Sequence, residues 1–259
     1  QLVARLEEPD PQTRALAAEA LTKMRDARGI EPAIGLLNDP NVEVRRIAVN
    51  ALGSVRDPRA VQPLITRLQD ADPTVRSGAA TALARQRDPA AVEPLLATLK
   101  EADDAALRTI AQALAQLGDQ RAIEPLRGRL KGKDGRENFD VAYALAQLKD
   151  QRAIEPLIAA LRNPESEYTG MFVVGSLMQM GQSAVEPLVP LLKDGDPQAR
   201  CLAAGVLSQI PDSRLVEPLL GALQDVEPGV VQAAASGLVF LDDPLHPSRP
   251  GAQHLVWGG

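Results

Sequence analysis

Apolar residues recur along the chain at the three- and four-residue spacing of amphipathic helices, in two runs for every 31 residues. Val61–Leu68 is an example of the first run and Val75–Leu83 of the second. In seven successive units one proline marks the first run, and a leucine follows it five residues later. These prolines are Pro32, Pro63, Pro94, Pro125, Pro156, Pro187 and Pro218. A fixed period of this length is the signature of a repeat array.

The pattern predicts an all-α fold, a right-handed α-solenoid (superhelix) of eight 31-residue helix pairs over residues 1–243. The predicted units are 1–26, 27–57, 58–88, 89–119, 120–150, 151–181, 182–212 and 213–243. Helices this short are unstable alone in water, so each pair needs its neighbours. Gln1 falls at the proline position, so we expect the chain to begin inside a repeat. Residues 244–259 lose the period, and we expect an irregular tail that is a candidate cap for the last pair.

The sixth unit departs from the repeat. Leu177 stands one residue later than the leucines in the same slot of the other second helices, and the loop after it is one residue shorter.

A family resemblance rests on two motifs that recur in the units. The first is Asp-x-Arg-Ala-x-Glu-Pro-Leu and the second is Asp-x-x-Val-Arg-x-x-Ala-x-x-Ala-Leu. Together they resemble the HEAT-like repeat of the phycobilisome (bilin) lyase type. The residues that carry the resemblance include Asp57, Arg59, Ala60, Pro63, Leu64, Val75, Arg76, Ala79, Ala82 and Leu83. The resemblance implies a HEAT-like solenoid and, as an activity, a bilin lyase or isomerase subunit acting on phycobiliprotein chromophores.

Two sets of arginines recur in register. One set lies in the second helix and contains Arg14, Arg45, Arg76 and Arg200; the other lies in the loop between units and includes Arg59, two residues after Asp57. We interpret both as a structural ladder that binds helix-end carbonyls and loop carboxylates such as Asp39, Asp70 or Asp194, because recurrence in most units suits stacking. The alternative is an anion-binding stripe.

Composition and charge argue against several classes of function. The net charge of −6 disfavours nucleic-acid binding, and with the scarcity of Trp, Tyr and Lys it counts against a HEAT-like DNA alkylpurine glycosylase. The single cysteine, Cys201, excludes an internal disulfide framework, and we interpret it as a small apolar filler rather than a transfer thiol. We expect no metal and no cofactor. With no stretch that could span a membrane, we expect a cytoplasmic chain.

A basic run, Arg127 to Arg136, is interpreted as a solvated loop, with contact to an acidic partner as the alternative.

The aromatic residues are the feature that the period leaves unexplained. The first 138 residues contain no Phe, Tyr or Trp. The repeat register then places a set of apolar side chains and two glutamines on the outward slots of the second helices, facing the concave side of repeats 5–7. The set is Phe139, Tyr143, Met171, Phe172, Leu202, Gln147 and Gln179. Aromatic residues and Met are enriched where proteins bind partners, so we predict a non-enzymatic scaffold that binds a protein or peptide there. The alternative is bulkier core filling around the irregular sixth unit.

Overall fold

A computed structural model describes the backbone of residues 1–130, 139–162 and 167–242, and their side chains except those of 104–105, 160–162, 167–170 and 242. All regular structure in these ranges is helical, as the sequence predicts. The α-helices are α1 (Leu2–Arg5), α2 (Pro11–Lys23), α3 (Ile30–Leu36), α4 (Val42–Gly53), α5 (Val61–Arg67), α6 (Pro73–Gln86), α7 (Val92–Glu101), α8 (Asp104–Leu117), α9 (Ile123–Arg127), α10 (Phe139–Gln147), α11 (Ile154–Arg162), α12 (Glu167–Met180), α13 (Val185–Leu188), α14 (Pro197–Leu207), α15 (Val216–Ala222) and α16 (Pro228–Asp242).

The first helix of a pair begins as a short 3₁₀ turn and then becomes α-helical, and the recurring proline explains this change. In the third repeat the 3₁₀ turn Pro58–Ala60 leads directly into α5. Pro63 has no N–H and cannot donate an α-helical hydrogen bond to the turn before it, so that turn is closed instead by the bond from Val61 N–H to the Pro58 carbonyl. The Asp57 carboxylate caps the turn by accepting from the Arg59 N–H at 2.9 Å.

The second helices begin at a capping side chain. Asp72 accepts hydrogen bonds from the N–H groups of Thr74 and Val75, at 2.8 and 3.2 Å, and Pro73 occupies the first helical position. Asp10 with Pro11, and Asp196 with Pro197, repeat the arrangement at α2 and α14. A proline at this position costs no hydrogen bond, so Asp-Pro fixes where each of these helices starts.

The chain divides into two compact units, Gln1–Gly132 and Lys133–Gly259. In the first unit α2, α4, α6 and α8 pack against one another in succession. Small residues allow the close approach: a Cβ added at Gly53 would lie 3.0 Å from the Ala82 Cβ, and one at Gly78 would lie 3.1 Å from Val49. Alanine and glycine at these contacts therefore set the spacing between repeats.

In the second unit α10, α12, α14 and α16 pack in succession, with α11 against α12 and α15 against α16. The late Leu177 of the sixth repeat is fully buried, so the shift in register leaves the core closed. Gly181 follows α12 with a φ of +58°, a left-handed conformation that glycine adopts without strain. The prediction of an all-α solenoid of helix pairs is confirmed. A continuous array over 1–243 stays a prediction, and the proposed tail at 244–259 lies outside the described residues.

Candidate functional site

Three aromatic rings on α10 and α12 form one cluster in the second unit. The rings of Tyr143 and Phe172 meet edge to face, with centroids 5.6 Å apart and an interplanar angle of 87°. Phe139, one helical turn before Tyr143, is 6.2 Å away at a tilt of 35°. Both distances lie in the range in which aromatic pairs attract beyond simple burial. The cluster therefore joins two successive repeats through a ring contact that the sequence did not specify.

The side chains predicted to bind a partner are partly exposed. Met171 is 75% exposed, while Phe139, Tyr143, Phe172 and Leu202 are each half-buried. We call these five residues the aromatic patch. Half-buried aromatics combine a fixed orientation with a face open to solvent, which is the condition under which such side chains anchor a partner. Their binding role stays a prediction.

The site predicted from the sequence did not include two glycines that lie beside the aromatic patch. Gly175 of α12 and Gly205 of α14 occupy, in their repeats, the outward slot that Tyr143 occupies in α10. A Cβ added at either position would meet no atom within 4 Å, so packing does not require glycine at either position. Glycine inside a helix costs about 0.5–1 kcal/mol relative to alanine. The repeat register of the sequence could have revealed that two glycines lie side by side in this slot. We call Gly175 and Gly205 the shelf.

The glutamines predicted to flank the site are accessible. Gln179 is exposed and Gln147 is half-buried, and both belong to the second unit. Gln209, at the same level of α14, is also exposed, although its amide donates to the Ser208 hydroxyl at 3.3 Å. An amide group can both donate to and accept from an extended backbone, so these side chains suit a peptide.

The second helices that carry the aromatic patch contain few charged residues. Arg200 is the one basic residue in the sequences of α10, α12 and α14. Its guanidinium is held by the Asp225 carboxylate at 2.7 and 3.0 Å and by the Asp194 carbonyl at 2.9 Å. Cys201 is half-buried, and a Cβ added at Gly229 of α16 would lie 2.9 Å from its Sγ. Cys201 therefore lies at a helix contact.

The arginines predicted to form a ladder bind carbonyl groups in the loop before their own helix. Arg14, Arg45 and Arg76 each reach two successive carbonyls, at distances from 2.7 to 3.1 Å. Arg45 also pairs with Asp70 of the next repeat, as Arg200 does with Asp225. These side chains are therefore engaged within the fold, and their role as a structural ladder stays a prediction.

Asp70 receives charge from two arginines. Burial opposes its ionisation, but hydrogen bonds from Arg45 and the Asp72 N–H, together with the charges of Arg45 and Arg67, lower the pKa of Asp70 below its usual value. The Arg67 Nη1 also donates to the Leu37 carbonyl at 3.0 Å. Asp70 thus connects a second helix, a first helix and a loop.

The loop arginines pair twice. Arg59 is held by Asp57 in its own turn, and that hydrogen bond is the main cause that lowers the pKa of Asp57. Its Nη1 reaches Glu31 of the preceding repeat at 3.0 Å. Arg121 repeats the arrangement with Asp119 and, at 2.8 Å, with Glu93. In these two places the glutamate before the recurring proline, Glu31 or Glu93, accepts from the arginine of the next repeat.

Gln86 is a buried polar residue that sequence reasoning missed. Its amide donates to the carbonyls of Leu52 and Val55, each at 2.7 Å, and its oxygen accepts from the Asp57 N–H at 3.0 Å. The side chain thus bridges two successive repeats.

The basic run is partly used within the fold. Arg129 donates to the carbonyls of Leu99 and Ala102, at 2.7 and 2.8 Å, and Arg127 pairs with Glu124. The rest of the run, 131–136, lies outside the described residues.

The described ranges contain neither a cluster of metal-ligating side chains nor a helix fit to span a membrane. These ranges hold no group of three His, Cys, Asp or Glu side chains that could bind a metal ion. No helix there combines the length and apolar character that crossing a bilayer requires.

Comparison with known families and structures gives a consistent assignment of the repeats. The family described as HEAT repeats matches residues 1–70, 61–146 and 185–248, and the PBS lyase HEAT-like repeat matches 139–163. The repeat type expected from the sequence is confirmed. No curated protein matches the chain at a significant level.

Similar solved structures include three of very different size. Importin beta is 16% identical, with 92% of this chain and 40% of that chain covered and a TM-score of 0.63. A chain in a homology model of the full-length AP-3 complex is 17% identical, with 91% of this chain and 49% of that chain covered and a TM-score of 0.62. The complex of CpcE and CpcF of phycocyanin lyase from Nostoc sp. PCC7120 is 23% identical, with 93% and 93% covered and a TM-score of 0.41. At 16% and 17% identity the likeness to importin beta and to the AP-3 chain concerns the fold alone.

Proposed function

Because the chain belongs to the HEAT-repeat family, we propose that it is a non-enzymatic scaffold whose aromatic patch binds an extended apolar peptide segment of a protein partner. The observation that carries this proposal is the edge-to-face pair of Tyr143 and Phe172 beside the exposed Met171. Rings that are fixed by one another lose little conformational freedom when a partner covers them. Anchors of this kind account for most of the binding energy in many interfaces.

The partner's chemistry follows from what surrounds the aromatic patch. The shelf at Gly175 and Gly205 leaves room for a backbone to approach α12 and α14 closely. Gln147 and Gln179 can satisfy the polar groups of that backbone. An apolar side chain of the partner would then lie against the rings. Because α10, α12 and α14 carry little charge, they would not select for a partner with an acidic sequence.

The test is selection of peptides from a random display library on the immobilised chain, followed by titration of the selected peptide with two variants. Met171→Glu places a charge on an exposed position of the patch and should weaken binding about ten-fold or more. Val226→Glu is the matched control, since Val226 is also exposed and apolar but lies in the loop between α15 and α16. The proposal is wrong if both variants bind as tightly as the parent chain.

A bilin lyase-like role is the second candidate, because the PBS lyase HEAT-like repeat matches 139–163 and so includes Phe139 and Tyr143. Such a role needs cationic groups for the propionates of a bilin. Arg200, the one basic residue of α10, α12 and α14, is already held by Asp225. Co-expression with a bilin distinguishes the two candidates: pigment-dependent absorbance of the purified chain would favour the lyase-like role.

A further inference from the structure

The last repeat exposes second-helix positions that most inner repeats bury; in the sixth repeat Met178, in the slot of Val239, is 39% exposed. Val239 of α16 is 72% exposed, whereas Ala84 and Ala146, in the same slot of α6 and α10, are buried. Gly53 shows what normally covers this slot, because it lies against Ala82 of the following second helix. Ala235, one turn before Val239, is likewise exposed.

The first helix of the last repeat shows the same change. Val216 and Leu220 of α15 are 37% and 45% exposed. The residues in their slots in α11, Ile154 and Ile158, are both buried. Leu238, which lies in the core leucine slot, is half-buried, whereas Leu207 in the preceding repeat is fully buried. We call Val216, Leu220, Ala235 and Val239 the terminal face.

An apolar outer face is unusual for the last repeat of an array. A terminal repeat of a solenoid has no following neighbour, and its outer face is normally polar so that the array stays soluble. Here the slots keep apolar residues, and the slot of Val239 holds a larger apolar side chain than the alanines of α6, α8 and α10. Residues that suit burial rather than solvent indicate a partner for the terminal face.

We propose that the chain's own residues 243–259 cover the terminal face, independently of the proposed peptide binding. They follow Asp242, the last residue of α16, so they start at this repeat. Extended, a segment of this length reaches about 50 Å, whereas the 15-residue α16 is about 22 Å long. Leu245, Leu255, Val256 and Trp257 supply apolar side chains. The segment can therefore reach and cover the whole terminal face.

The chain provides its own reporter for the test, because Trp257 is the only tryptophan. The experiment measures its emission and its quenching by acrylamide in the intact chain. We expect blue-shifted emission and weak quenching, and we expect Val239→Glu to move both toward the values of the urea-unfolded chain. Val226→Glu, which changes an exposed loop valine to the same residue, should change neither. Circular dichroism confirms that both variants keep their helical content.

Two results would overturn the proposal. One is that the tryptophan emission of the parent chain already equals that of the unfolded chain, or that Val239→Glu leaves the emission unchanged. The other is protection of Trp257 that appears only at concentrations at which light scattering detects a dimer, because the cover would then be a second copy. Peptide binding is measured on the same samples; Val239→Glu should leave it intact, so failure here and failure of the proposed function are distinguishable.

Discussion

Arg45 and Asp70, 25 positions apart, form a two-pronged ion pair that joins the second helix of one repeat to the loop of the next. The Arg45 Nε lies 3.0 Å from one carboxylate oxygen and Nη2 lies 2.9 Å from the other. The side chains are only 13% and 3% exposed. Each side chain of the pair makes a further hydrogen bond: Arg45 Nη1 donates to the Asp39 carbonyl, and Asp70 accepts from the Asp72 N–H. A pair with its hydrogen bonds satisfied stabilises the junction that it bridges.

The first prediction concerns the pH dependence of this junction. The pKa of Asp70 is lowered in the fold, so its stabilisation is fully present above the unfolded-state pKa near 3.9 and is lost as the pH falls through the folded-state pKa. Asp70→Asn should reduce the free energy of unfolding by about 1–3 kcal/mol at pH 7, because Arg45 loses its partner. Urea unfolding at pH 7 and pH 3 measures this.

The difference between parent and Asp70→Asn should shrink at pH 3, because below the unfolded-state pKa near 3.9 the unfolded chain takes up a proton at Asp70 and becomes more stable relative to the fold. Glu217→Gln, which removes an exposed carboxylate of α15, serves as the control and should change the unfolding free energy little at either pH. A loss that is equal at both pH values would contradict a role for the Asp70 charge.

The second prediction uses a gap in the loop ladder. Arg59 reaches Glu31 and Arg121 reaches Glu93, each 28 positions earlier. In the repeat between them both partners are replaced together, since Gln62 and Ala90 occupy the two slots. The double change Gln62→Glu, Ala90→Arg should therefore add the missing pair, with Asp88 already in place to hold the new arginine. We expect a small rise in the melting temperature that fades in high salt.

The single changes are the controls for this pair. Ala90→Arg alone should give a smaller rise, through Asp88, and Gln62→Glu alone should give none. Additive effects of the two single changes would show that the side chains do not interact.

The third prediction compares two glycines inside second helices. Gly237 of α16 approaches α14 closely: an added Cβ would lie 2.8 Å from the Ser208 Cα. Gly237→Ala should therefore destabilise the fold by about 1–3 kcal/mol. Gly175→Ala meets no neighbour, so it should stabilise the fold by about 0.5–1 kcal/mol through better helix propensity. Thermal melts followed by circular dichroism give both values.

Gly175→Ala also separates stability from binding. If the shelf receives a peptide backbone, the added methyl group should weaken the selected peptide while the fold becomes more stable. Unchanged peptide affinity would mean that the ligand does not approach α12 at this position.

The sequence alone determined the helix pairs and where they begin. The recurring proline, the Asp caps and the apolar spacing act within a few residues of one another, so they can be read along the chain. They predicted the all-α repeat fold, the family and the partial exposure of the aromatic patch. The shift of the sixth repeat is also visible in the sequence, where Leu177 stands one residue late, and Leu177 is buried like Leu207 in the same slot.

Only the tertiary structure decided which side chains meet between repeats. Arg45 pairs with the carboxylate of Asp70 in the next repeat. From Asp39 in its own loop it binds the backbone carbonyl and not the carboxylate. Tyr143 and Phe172 form an edge-to-face pair because packing of α10 on α12 fixes the ring angle. Val239 is exposed because no further helix follows it among the described residues. Such contacts depend on the distance and rotation between helices, which packed side chains set jointly and no local sequence pattern specifies.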